Sequence, residues 1–126
     1  MSAPGAATDT LEKLLALGND ALSRGKLDQA VEHFRQAVLG HTGDAGARIA
    51  LGFGLSEVGR HAEARSHLRR ATLLAPQNAD AFYLLGRVAM ALRDWSEAAE
   101  NFEEALEVDP QQIGRASCRE RVLQVV

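Results

Sequence analysis

Residues 80–110 read DAFYLLGRVAMALRDWSEAAENFEEALEVDP. Apolar residues recur at helical spacing on either side of Arg93-Asp94, so the stretch reads as two helices folded back on each other. Looser copies stand upstream. Gly18, Gly52 and Gly86 fall 34 residues apart, as do Leu17, Leu51 and Leu85. The same step relates Ala30, Ala64 and Ala98, then Phe34, Leu68 and Phe102, then Ala37, Ala71 and Ala105. An internal period of this length with helical patterning predicts an all-α fold of stacked helix-turn-helix units.

Taken in order, the chain starts with small, polar and Pro/Gly-bearing residues at 1–10, which predict a disordered lead. Asp9 is placed to cap the first helix, with Glu12 three residues later as its capping-box partner. The predicted helix pairs are Thr10–Ser23 with Leu27–Leu39, Ala45–Val58 with His61–Ala75, and Ala79–Leu92 with Trp95–Val108. Leu27, Ala30, Val31, Phe34, Ala37 and Val38 give one second helix its buried face. Gly25 and Gly59 supply positive-φ turns inside two pairs; Arg93 stands at that place in the third, where Asp94 and Glu97 form a capping box. Gly40-His41-Thr42-Gly43-Asp44 is glycine-rich where the counterpart corners carry Pro76 and Pro110, and is expected to be the most mobile corner of the array. The three period-spaced glycines are expected where the helices of a pair approach closely, with Ala30, Ala64 and Ala98 as small residues on the facing helix. Phe34, Leu68 and Phe102 are expected to reach into the next helix along.

The best copy, Phe82-x-x-Leu85-Gly86-x-x-Ala89, then Ala98-x-x-x-Phe102, then Pro110, resembles the tetratricopeptide repeat. The resemblance covers residues 11–112 without insertion or deletion, as repeats 11–44, 45–78 and 79–112. Leu14 and Arg48 stand where the family favours an aromatic, and Ala21, Leu55 and Ala89 where it favours Tyr. The resemblance implies a right-handed α-solenoid of about six helices plus a tail.

Composition bounds the function. The 126 residues are 46% apolar and 25% charged, ordinary for a globular chain with a modest core. No apolar run is long enough to span a membrane, and MSAPGAATDT has neither the basic nor the apolar region of a secretory signal, so cytoplasmic residence is expected and no membrane partner. The single Cys118 excludes an intrachain disulfide or a Cys-based zinc cluster. A net charge of −3 argues against nucleic acid as a partner. Residues 45–78 carry five Arg against two Glu, whereas residues 79–112 carry two Arg against eight acidic residues. Solvated outer faces account for these charges; an acidic docking strip on the last repeat is the sharper reading.

From Ile113 the period stops, because Arg119 and Glu120 fall where Leu85 and Gly86 stood. The run IGRASCRERV resembles an in-frame translation of a sequencing-library adapter, which implies a non-native tail on a longer natural chain. The alternative is a genuine basic helix using Ala116, Val122, Leu123 and Val126 as a cap.

No catalytic constellation is legible, and no cofactor or metal is expected. Gly52-Phe53-Gly54-Leu55-Ser56-Glu57-Val58-Gly59 looks like a phosphate loop but lies inside a helix, with no preceding strand and no following Lys-Ser/Thr. His33 and His67 are one period apart and read as exposed helix residues. The Trp95 indole is expected to pack against the preceding pair. By the resemblance, the first helix of each pair lines a concave groove, with Leu15, Asn19 and Leu22, then Ile49, Phe53 and Ser56, then Tyr83, Arg87 and Met90 facing it. Phe53, Tyr83, Arg87 and Met90 are its expected main contacts. One subclass of the family clamps the C-terminal carboxylate of chaperone peptides with Lys, Asn and Arg. Asn19 matches one clamp position, but Leu15, Ala50, Asp80 and Leu84 occupy the others, so that activity is rejected. What remains is a protein-interaction module that takes a peptide or helix in an apolar groove, unless part of the lining packs internally. The alternative is a truncated substrate-recruiting region of a glycosyl- or methyltransferase. A homo-oligomer through the uncapped C-terminal helix is a further possibility.

Overall fold

The computed structural model describes residues 3–110, with side chains from Thr10 onward. It holds six helices: α1 Ala3–Ser23, α2 Leu27–Gly40, α3 Ala45–Glu57, α4 His61–Leu74, α5 Ala79–Ala91 and α6 Trp95–Val108. Each odd helix packs on the even helix that follows it, and α2 on α3 and α4 on α5 join the pairs. The backbones of the odd helices also approach one another, α1 with α3 and α3 with α5, whereas the even helices meet only through long side chains. The closer spacing on the odd side makes it the inner, concave layer of a curved stack.

The turn inside each pair repeats one geometry. Gly25, Gly59 and Arg93 adopt φ of 76°, 89° and 65°. The next amide then donates back across the turn: Lys26 N to Ala21 O, Arg60 N to Leu55 O and Asp94 N to Ala89 O, at 2.8, 2.8 and 2.9 Å. These are the six-to-one bonds that close a helix through a left-handed residue. Arg93 takes that conformation without the freedom of glycine. Asp94 offsets part of the cost as expected, its Oδ1 accepting from Glu97 N at 3.1 Å. Two further caps close the corners between pairs, Asp44 Oδ2 accepting from Ala47 N and Asn78 Oδ1 from Asp80 N.

The core runs continuously through the stack, with Phe34, Leu51, Leu55, Leu68 and Val88 its largest fully buried side chains. The period-spaced glycines do mark close approach, but their partners differ from the expected alanines. A Cβ at position 52 would stand 2.5 Å from Leu68 Cγ, and one at position 86 would stand 2.7 Å from Phe102 Cε1. Phe34 sits on Gly18 in the same way. Each glycine therefore leaves room for a large side chain of its own pair. Phe34 also reaches the next pair as expected, since a Cβ at Gly54 would stand 3.4 Å from its Cδ2.

Three further expectations are corrected. Helix α1 begins at Ala3, inside the stretch read as a disordered lead, so Asp9 lies within the helix and is not its cap. Pro4 falls in the first turn, where a missing N–H removes no intrahelical bond. Trp95 is 62% exposed, so most of its indole is left open where packing on the preceding pair was expected. It holds the register of Leu27 on α2 and His61 on α4, both of which are partly buried. His67 is partly buried: Arg48 Nη1 donates to its Nδ1 at 3.2 Å, and Glu63 Oε2 lies 4.0 Å from its Nε2. The tail from Ile113, with its adapter resemblance and Cys118, lies outside the described residues.

Across the outer layer, Arg35 Nη1 donates to Glu63 Oε2 at 2.6 Å, from α2 to α4. One period on, Arg69 makes a two-pronged pair with Glu97 at 2.9 and 3.0 Å, from α4 to α6. The Arg35 hydrogen bond is the main reason the Glu63 carboxyl is held below the usual range. Burial first, and Arg48 second, push the His67 imidazole down.

Candidate peptide-binding groove

On the concave layer, α3 and α5 run side by side and leave a cleft of about 390 Å³. Gly46, Ile49, Ala50 and Phe53 line it from α3; Asp80, Tyr83 and Leu84 line it from α5. Each set follows the i, i+3, i+4 spacing of one helix face. Gly46 keeps one wall low, while Phe53 and Tyr83 supply rings that are each half-buried. The Tyr83 ring is held from behind by Phe102, at 5.8 Å between centroids and tilted by 51°. Arg87, one turn further along α5, stacks its guanidinium 6.0 Å from the Tyr83 centroid, at the outer limit of a cation–π contact. The site is therefore an apolar slot with an ordered aromatic wall and an exposed cation beside it.

Of the nine residues expected in the groove, Ile49, Phe53 and Tyr83 line this cleft, and Arg87 stands at its edge. Leu15 and Leu22 pack instead against the hydrophobic core, so part of the α1 lining is internal. Asn19 is exposed, Ser56 is partly buried and Met90 is 47% exposed; none of the three lines the cleft. Gly46, Ala50, Asp80 and Leu84 were not named as lining. A signal was present for three of them, because Ala50, Asp80 and Leu84 are positions where the carboxylate clamp would need Lys, Asn or Arg; Gly46 had none.

Other hollows are mixed or polar, among them one of about 340 Å³ lined by Asp28, Glu32, Arg35 and Arg60. One of about 500 Å³ lies at the α4–α5 corner against Val108 and Asp109; one of about 350 Å³ is lined by Arg48, His67, Arg69 and Arg70 on α3 and α4. None of them offers the convergent apolar walls of the α3–α5 cleft. Among the described residues, no group of three or more His, Cys, Asp or Glu side chains is placed to hold a metal ion, and no helix is long and apolar enough to cross a membrane.

A family model described as tetratricopeptide repeat matches residues 15–58 and 54–113. The chain belongs to the tetratricopeptide repeat family. Among solved structures, MamA is similar at 30% identity and a TM-score of 0.77, over 82% of this chain. This chain spans 60% of the length of MamA. The first tetratricopeptide domain of Spaghetti (RPAP3), bound to the HSP90 peptide SRMEEVD, is similar at 20% identity and a TM-score of 0.81, over 93% of each chain. The Arabidopsis OM64 tetratricopeptide domain is similar at 21% identity and a TM-score of 0.82, over 95% of this chain and 99% of that one. No curated protein sequence matches the chain.

Proposed function

We propose that this tetratricopeptide array is a protein-interaction module whose α3–α5 cleft takes an apolar side chain of an extended or helical partner segment. The single observation that carries the reading is the slot between Phe53 and Tyr83, apolar along both walls apart from Asp80 and open on the concave side. Rigid aromatic side chains in such a slot give contact area at low entropic cost and dominate interface energetics. Arg87 beside it favours an acidic residue next to the anchor. The similar Spaghetti domain holds an HSP90 peptide. Here the clamp positions carry Leu15, Ala50, Asp80 and Leu84, so recognition rests on the anchor and not on a terminal carboxylate. As a substrate-recruiting arm of a larger enzyme, the array would use the same slot.

The test is selection of displayed peptides on the full chain, followed by titration of the enriched sequences against Phe53→Ala and Tyr83→Ala. Enriched peptides should share a large apolar residue and lose at least about tenfold in affinity to each variant, equivalent to about 1.4 kcal/mol. Undiminished binding by both variants, with unchanged circular dichroism, would remove the slot from the function.

A further inference from the structure

The even helices present one face three times. On α2 that face carries Val31, Phe34, Arg35 and Val38; on α4, one period on, Arg65, Leu68, Arg69 and Thr72; on α6, Ala99, Phe102, Glu103 and Leu106. The first two faces are covered by the helix pair that follows. Phe34 and Leu68 are fully buried, and α3 comes so close to α2 that a Cβ at Gly54 would stand 3.3 Å from Val31 Cγ2. Each covered face also sends an arginine to the first turn of the next even helix, Arg35 to Glu63 and Arg69 to Glu97. Both ends of that ion pair advance by one 34-residue period. At the third position the sign changes, and the residue is Glu103. Among the described residues no element covers this third face: Trp95 is 62% exposed, Ala99 and Glu103 are exposed, and Phe102 is only half-buried.

We propose that the outer face of α6 docks an amphipathic helix of a partner protein that sets Lys or Arg against Glu103 and an apolar stripe against Trp95, Phe102 and Leu106. The two internal interfaces supply the precedent for the packing, and the sign of Glu103 supplies the charge of the occupant. A second copy of this chain meets the charge requirement poorly. The residues that answer the arginines internally are Glu63 and Glu97, which would repel Glu103, and the same register in the first pair carries the neutral Gln29, with Lys26 nearly one turn away. Glu100, Glu104 and Glu107 are exposed on the same helix and extend the acidic field around the stripe. This surface lies behind the α3–α5 cleft and shares only the Phe102 ring with it, through Tyr83, so Glu103 and Phe53 test the two sites separately.

Trp95 is the sole tryptophan, so the emission of the full chain reports on this face directly. The probes are two synthetic helical peptides of about 18 residues sharing one Leu/Ala stripe, flanked by Lys in one and by Glu in the other. The Lys peptide should shift Trp95 emission to the blue and bind at least about tenfold more tightly than the Glu peptide. Its affinity should fall as salt rises from about 0.05 to about 0.5 M. Glu103→Lys should reverse the ranking of the two peptides, and Phe53→Ala should leave it unchanged. Equal binding of both peptides, no blue shift, or an unreversed ranking in Glu103→Lys overturns the proposal. A concentration-dependent blue shift without peptide, matched by sedimentation as a dimer or larger, gives the face to a second copy and overturns it as well, as does a red shift of Trp95 emission on deleting residues 113–126, which gives the face to this chain's own basic stretch.

Discussion

Replacing Gly52 by alanine puts the packing of the repeat to a quantitative test. The added Cβ would stand 2.5 Å from Leu68 Cγ and 2.7 Å from Leu68 Cδ2. Cγ is the branch point of a fully buried side chain, so rotation of the terminal methyls does not remove the clash. Overpacking of this kind costs about 1–3 kcal/mol. Alanine recovers about 1 kcal/mol of helix propensity over glycine. The net expectation is a destabilisation of about 1 kcal/mol, within a range of about zero to two. For a domain near this size that lowers Tm by about 4–8 °C per kcal/mol. Thermal and urea denaturation followed by circular dichroism measure it. Gly40→Ala is the control, because a Cβ at Gly40 meets nothing within 4 Å, and it should be neutral or stabilising. Gly54→Ala should fall between the two, its Cβ being 3.3 Å from Val31 Cγ2. In the double variant with Leu68→Ala the Gly52 penalty should vanish, giving a favourable coupling of about 1–3 kcal/mol. A Gly52→Ala chain as stable as Gly40→Ala, or additive effects in the double variant, would refute the reasoning.

Two other outcomes follow from the turns and the outer layer. Arg93 holds φ of 65° where Gly25 and Gly59 stand in the other pairs, so Arg93→Gly should raise stability by about 0.5–1 kcal/mol in urea denaturation, with no change in partner binding. His67 has its pKa lowered by burial and then by Arg48, so the unfolded chain takes up its proton first as pH falls. The His67 contribution is therefore complete above about pH 6.5 and is lost as pH falls through the lower folded value; the Tm slope there should flatten in His67→Gln. Glu63, also lowered, keeps its contribution above its ordinary value of 4.5 and loses it as pH falls through the folded value, a more acid window that His67→Gln should leave in place.

The periodic columns made the helix count and pairing legible, and the helix ends fall within one or two residues of expectation except at α1. What one helix does to its own face is local, and spacing reports it: Ala30, Val31, Phe34, Ala37 and Val38 are buried as read, and only Leu27, at the helix start, is partly buried. What lies opposite is not local. A period shows that Gly52 and Leu68 recur together, but not that the Leu68 side chain sits on the glycine. The partnership of Arg48 with His67 joins two helices across 19 residues and has no signal in either helix alone. The groove divides in the same way. Ile49, Phe53 and Tyr83, which the family resemblance set on the groove side, stand on the walls of the α3–α5 cleft. The burial of Leu15 and Leu22 was not legible, because depth depends on how closely α1 lies on its neighbours. Trp95 is the clearest case, since its register matches Leu27 and His61 while its exposure depends on whether a following pair covers it.

The Arg–Glu pairs of the outer layer bear on register more than on stability. The Arg35 and Glu63 side chains are 31% and 36% exposed, and Arg69 is 54% exposed. Pairs so open to water contribute about 0–1 kcal/mol. The apolar stripes do most of the holding, yet they are alike from pair to pair, so by themselves they admit stacking in the wrong order. Charge separates the cases, because a misplaced pair that sets Glu63 or Glu97 against Glu103 meets a like charge at hydrogen-bonding distance. An array built from near-identical units needs such a mark, and the cheapest place for one is the rim of each interface, where a reversal of sign changes partner choice without disturbing the core. On that argument the sign of Glu103 marks the α6 face against a misplaced pair that would bring Glu63 or Glu97 to it.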